Sequence, residues 1–166
     1  MIRSATAADA QAICAIYNHF ILQSTATFEE TAISPDDMAT RIDAIAGASS
    51  LPFLVAELDG AVAGYAYAAP WKARSAYRHT VESSVYVAPG FAGMGLGSRL
   101  YQALLQQLRE REVHAVLAGI AMPNSASIGL HEAFGFAKVG QLREVGNKFG
   151  QWLDVAYWQL VLAPQP

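Results

Sequence analysis

Glu82 stands in the middle of Thr80-Val81-Glu82-Ser83-Ser84-Val85-Tyr86-Val87, where alternation puts Glu82, Ser84 and Tyr86 on one strand face and Val81, Val85 and Val87 on the other. If that face lines a cleft, such a carboxylate can take a proton from a bound molecule; on a one-sided sheet it is merely solvated. The strand runs into Ala88-Pro89-Gly90-Phe91-Ala92-Gly93-Met94-Gly95-Leu96-Gly97-Ser98. Glycines at 93, 95 and 97, ahead of an amphipathic helix, leave backbone N–H groups free to converge on one anion at the positive end of the helix dipole. The same glycines would also serve a tight turn and close helix packing. Two phosphate motifs fit poorly: no Gly-Lys-Ser/Thr ends the loop, and the spacing departs from the dinucleotide fingerprint.

Two further clusters are polar enough to bind something. Asn124, Ser127 and His131 fall on one stripe of a short, otherwise apolar helix, which either faces a ligand or is ordinary packing and solvation. Lys72, Arg74 and Arg78, with Tyr77 among them, form either a fork for an anionic or strongly polar group or a solvated loop. Cys14, the single cysteine, sits in a helical stretch and reads as a small buried apolar residue. Neither it nor any serine has a recognisable nucleophile setting.

The elements that must position these residues alternate along the chain. Ile2 to Ser4 is a short strand, and from Asp9 a helix follows with Ile13, Ile16, Tyr17 and Phe20 on one face. Ser34 caps a second helix that opens with Pro35, Asp36 and Asp37. Strands over 53–58 and 61–68 flank Asp59-Gly60, a hairpin signal. Leu96, Leu100, Leu104 and Leu108 mark a helix to about Arg111, and Val116 to Met122 reads as a strand buried on both faces. Asn124 caps a helix ending at Phe134-Gly135, and strands over 136–145 and 152–162, separated by Gly146 and Gly150, complete the chain. This order predicts a mixed sheet with a ligand at the ends of its central strands.

Composition narrows the partners. With 166 residues, 53% hydrophobic and 15% charged, the chain reads as one domain over 1–166 that needs neither disulfide nor metal. A net charge of -3 offers no footprint for nucleic acid. No charged leader and no apolar run of roughly 18 residues is present, so a cytoplasmic protein without membrane association is expected.

The glycine loop, with Gly95 and Gly97 in place, resembles the pyrophosphate loop of the GNAT superfamily of N-acetyltransferases. Ala92 stands where that superfamily has Arg or Gln, which removes a side chain and leaves the backbone amides. Asn124 to Phe136, closing on Gly135-Phe136, resembles its second cofactor motif. Pro70 to Val87 and Lys148 to Val155 are similar to the phosphinothricin and methionine sulfoximine N-acetyltransferases. The resemblance implies an α/β GNAT fold, a mixed and mostly antiparallel sheet flanked by helices, and acetyl-CoA as co-substrate with no metal. It implies a cofactor site of Val85, Val87, Ala92, Gly93, Met94, Gly95, Gly97, Ser98, Asn124 and Ser127. Glu82 would be the general base, His131 or Tyr86 the acid for the leaving thiolate, and Phe28, Lys72, Arg74 and Tyr77 the pocket of a small amino-acid-like acceptor. It also implies a homodimer. A protein N-terminal acetyltransferase and a non-catalytic acetyl-CoA sensor are the alternatives.

Overall fold

The computed structural model describes residues 1–162; the last four residues of the domain expected over 1–166 lie outside that description. The elements run β1 (Ile2–Ser4), α1 (Ala10–Gln23), α2 (Pro35–Ile42), β2 (Phe53–Leu58), β3 (Ala61–Pro70), β4 (Thr80–Val87), α3 (Leu96–Arg109), β5 (Ala115–Ala121), α4 (Ser125–Ala133), β6 (Ala137–Lys148) and β7 (Gln151–Val161). Seven strands form one sheet in the order β1-β2-β3-β4-β5-β7-β6, antiparallel throughout except where β4 meets β5.

Local chemistry explains the boundaries. Ser34 Oγ accepts the Asp37 N–H at 3.1 Å while the Asp37 carboxylate accepts the Ser34 N–H at 2.9 Å, a reciprocal cap that starts α2. Asp59 and Gly60, at φ 52° and 78°, form the two-residue turn between β2 and β3. A six-residue π-helical stretch, Asp43–Ala48, extends α2.

Alternation divides the apolar residues between the two faces. α3 packs Leu100, Leu104 and Leu108 against Leu54, Ala66, Val81, Val116 and Trp158 on one face. On the other, α1 and α2 pack Ile13, Tyr17, Met38 and Ile42 against Phe53, Val55 and Tyr65. The central strands are thus sandwiched between helical layers.

Two expectations are corrected. β6 does not stop at Val145 but continues through Gly146 to Lys148, because the left-handed pair that the turn requires is Phe149 and Gly150, at φ 53° and 71°. Nor is β5 buried on both faces. Val116, Ala118 and Ile120 are buried, whereas Gly119 is exposed, because β4 leaves β5 after the single stretch Thr80↔Ala115 to Glu82↔Leu117.

Candidate active site

Two cavities flank the place where β4 and β5 part. The first, about 260 Å³, is lined by Ser83 to Val87 of β4, Ala118 to Ala121 of β5, Gly97 of α3, and Asn124, Ser127 and His131 of the α4 segment. The second, about 350 Å³, is lined by Glu82, Tyr67, Ala69 and Tyr157 from the sheet, Tyr17 from α1, and Thr27 and Phe28 from the loop after it. Ala26, Ser84, Tyr86, Gly119 and Ala121 line both.

Glu82 belongs to the second cavity alone, opposite Ala69 in the register of β3. Its carboxyl titrates above the ordinary carboxylate range because burial penalises the charge, and the Gly119 backbone N–H only partly offsets this. Gly119 leaves room for that carboxyl. A β-carbon there would stand 3.0 Å from Glu82 Oε1 and 3.1 Å from Tyr157 Cε1. Tyr86 stacks on Tyr65, meets Tyr17 edge-on and packs tilted against Phe20, and burial holds its phenol protonated, well above the usual range.

His131 is 3% exposed and fully engaged. Its Nδ1 lies 2.6 Å from the Ser127 carbonyl, which can only accept, so the proton sits on Nδ1 and Nε2 accepts from the Tyr101 hydroxyl at 2.6 Å. Tyr101 in turn accepts from Ser83 Oγ at 2.5 Å. Burial keeps this imidazole below its usual pKa, hence neutral at pH 7. Sequence reasoning missed Tyr101 and Ser83. The available signal was a tyrosine beside the leucine stripe of α3, since a buried phenol needs a partner.

The glycine loop leads straight into the start of α3. Gly93 and Gly95 are left-handed, at φ 79° and 73°, and Gly95 is the N-cap of the 14-residue α3. Ala92, Gly93, Met94, Gly95 and Ser98 are exposed around that N-terminus, where a helix leaves its first N–H groups without intrahelical partners. Gly97 lines the first cavity, with Leu130 and Val87 close to where a β-carbon would go. Asn124 Oδ1 accepts the Ser127 N–H at 3.1 Å and starts α4. A thioester cofactor with a pyrophosphate fits these residues: glycines and a helix terminus for the phosphates, and beyond them a slot between parted strands.

Phe28 lines the second cavity, whereas Lys72, Arg74 and Tyr77 line neither cavity and are exposed. The Lys72 ammonium stands over the Trp71 ring at 5.5 Å and the Tyr77 ring at 5.9 Å. Cys14 is buried, and its thiol donates to the Ile33 carbonyl at 3.2 Å.

The family model described as an acetyltransferase (GNAT) domain matches residues 2–157. The chain is 46% identical over 158 residues to a phosphinothricin N-acetyltransferase of Streptomyces viridochromogenes, covering 95% of this chain and 85% of that protein. It is 40% identical over 161 residues to an L-methionine sulfoximine/L-methionine sulfone acetyltransferase of Salmonella typhimurium, covering 97% and 94% respectively. Among solved structures, a GNAT superfamily phosphinothricin acetyltransferase from Sinorhizobium meliloti in complex with AcCoA superposes with a TM-score of 0.94 at 39% identity, covering 98% of this chain and 88% of that one.

Proposed function

Because this chain belongs to the GNAT family of acetyltransferases, we propose that it moves the acetyl group of acetyl-CoA directly onto the α-amine of a small amino-acid-like acceptor, of the phosphinothricin, methionine sulfoximine or methionine sulfone kind. Acetyl-CoA is the co-substrate and supplies the activated thioester carbonyl. One observation carries the reading: the two cavities share the walls Ala26, Ser84, Tyr86, Gly119 and Ala121, with a carboxylate on the acceptor side only.

Each residue then has a task. The α3 N-terminus, with Gly93 to Gly97, holds the pyrophosphate, and Val85 and Val87 present backbone on the cofactor side of β4. Glu82 takes the proton of the acceptor ammonium, directly or through water. Its raised pKa brings it closer to the amine, which titrates near about 8 or higher, so the transfer is less uphill. A backbone N–H of the 85–87 stretch faces the carbonyl oxygen as charge develops. Tyr86 gives the leaving sulfur its proton, because it lines both cavities and keeps its phenolic hydrogen. His131 serves by position: its only N–H is committed to Ser127, and through Tyr101 it braces Ser83 of β4. Direct transfer is favoured over an acyl-enzyme because Cys14 lines neither cavity. The reading also takes the enzyme to be a cytoplasmic homodimer, for which the exposed Val139, Leu142, Val145, Phe149 and Trp152 of β6 and β7 and the turn between them offer an apolar face.

The test is thiol release from acetyl-CoA with methionine sulfoximine, methionine sulfone, phosphinothricin and a short peptide as rival acceptors. Turnover with the amino-acid analogues and little with the peptide is expected. Preference for the peptide would overturn the acceptor class, and thiol release with none of them would overturn the reading.

A further inference from the structure

The loop after α1 reaches the second cavity under restraint from residues far away in sequence. Lys148 is 1% exposed, and its ammonium donates to the Ser24 and Thr27 carbonyls, 124 and 121 positions away, at 2.7 Å each. No carboxylate forms an ion pair with it among the described residues. Two positions back along β6, Gly146 lies directly beneath Phe28. A β-carbon at 146 would come within 2.2 Å of the Phe28 ring at Cε2, far inside any real contact. Thr27 and Phe28 in turn line the cavity that holds Glu82.

We propose that Lys148 and Gly146 form a clasp that positions the Ser24–Phe28 segment as a wall of the acceptor cavity and thereby limits the acceptor to single amino-acid-like molecules. Lys148 is a positioning residue and touches no reacting atom. A buried ammonium must have partners, and here those partners are two carbonyls of the loop, so moving the loop outward strands the charge. The Gly146 seat works with it, since any side chain there lifts the Phe28 ring off the strand. A peptide entering the cavity must displace this wall; a free amino acid need not.

The inference rests on the reading that this cavity takes the acceptor, and the test separates the two. Lys148→Met keeps the aliphatic stem and removes the ammonium; Gly146→Ala introduces the clash alone. In the full-length enzyme each variant should raise the KM for methionine sulfone about tenfold or more, the scale of a lost charge-assisted hydrogen bond. The KM for acetyl-CoA should stay within about twofold, and kcat should change far less than the acceptor KM. The preference for methionine sulfone over a short peptide should fall. Because both residues act through one segment, the double variant should be little worse than the worse single, and Phe28→Leu should relieve Gly146→Ala. Hydrogen exchange in residues 24–28 should rise in Lys148→Met with no acceptor present. Losses shared equally between acceptor and acetyl-CoA, effects that simply multiply, or unchanged exchange at 24–28 would each overturn the clasp. A wild type inert toward every amino-acid acceptor would sink the functional reading, with exchange and the double variant's stability still deciding the clasp.

Discussion

Replacing Gly119 by alanine tests the placement of Glu82 without touching its chemistry. The added methyl would stand 3.0 Å from Glu82 Oε1 and 3.1 Å from Tyr157 Cε1, so both neighbours must give by a few tenths of an ångström. Gly119 is not left-handed and lies in a strand, so the backbone accepts alanine and the fold should survive. Misplacing a catalytic group by about 1 Å can cost about 10²-fold, so a shift of a few tenths of an ångström scales to roughly three- to sixfold in kcat. Steady-state thiol release should show this fall while calorimetric CoA binding changes much less. The control is the same substitution in a Glu82→Gln background. If Gly119 acts only through the carboxylate, the further loss there should shrink toward nothing. An undiminished kcat in a folded Gly119→Ala enzyme, or an equal loss in the Gln background, would refute the argument that Gly119 is kept small for the sake of Glu82.

Glu82→Gln should lower kcat by about 10²–10⁴ with acetyl-CoA binding nearly unchanged. In the wild type the acid limb of the rate profile should lie above the ordinary carboxylate range, with activity lost as pH falls through it; the variant should lack that limb. Gly95→Val should weaken acetyl-CoA binding sharply, because φ 73° is closed to a β-branched residue even though a β-carbon there meets nothing within 4 Å, so the loop must refold. Tyr101→Phe strips the partner from His131 Nε2, leaving Ser83 Oγ only the Leu117 carbonyl, and should cost about 1–3 kcal/mol in urea denaturation. Asp9, bonded by Arg3 and the Thr6 backbone, is held down at about 2 from 3.8; the stability it contributes, on the order of 2 kcal/mol, is complete above about pH 5 and is lost as pH falls through that interval. Asp9→Asn should therefore flatten the acid arm of the stability curve.

Much of this architecture was legible because it rests on local rules. Period two placed Glu82, Ser84 and Tyr86 together, and the cavities gather all three. Ser34, Asn124 and Asp59-Gly60 announced caps and a turn by chemistry confined to four residues. What escaped depends on register across the sheet or on distant contacts. Gly119 reads as one more small residue in an apolar run until its position beside Glu82 is known. Lys148 looks like a turn lysine until its ammonium meets carbonyls more than 120 positions earlier. Gly146 suggested a turn, because a strand glycine crossed by a remote aromatic ring carries the same letter as a turn glycine. The basic segment at 72–78 shows the converse: charge density marks an exposed surface and does not say what it faces.

Among the described residues three ladder pairs join β4 to β5, and that short seam is the one place where the strand ladder of β1–β4 meets that of β5–β7. Beyond Glu82 the inner edges of both half-sheets offer peptide groups that no strand completes. A ligand lodged between them would act as mortar as well as fuel. Its binding energy adds to the cohesion of the two halves, and saturating it at a hundred times its dissociation constant should raise unfolding stability by about 2.7 kcal/mol, with protection spreading to both banks of the seam.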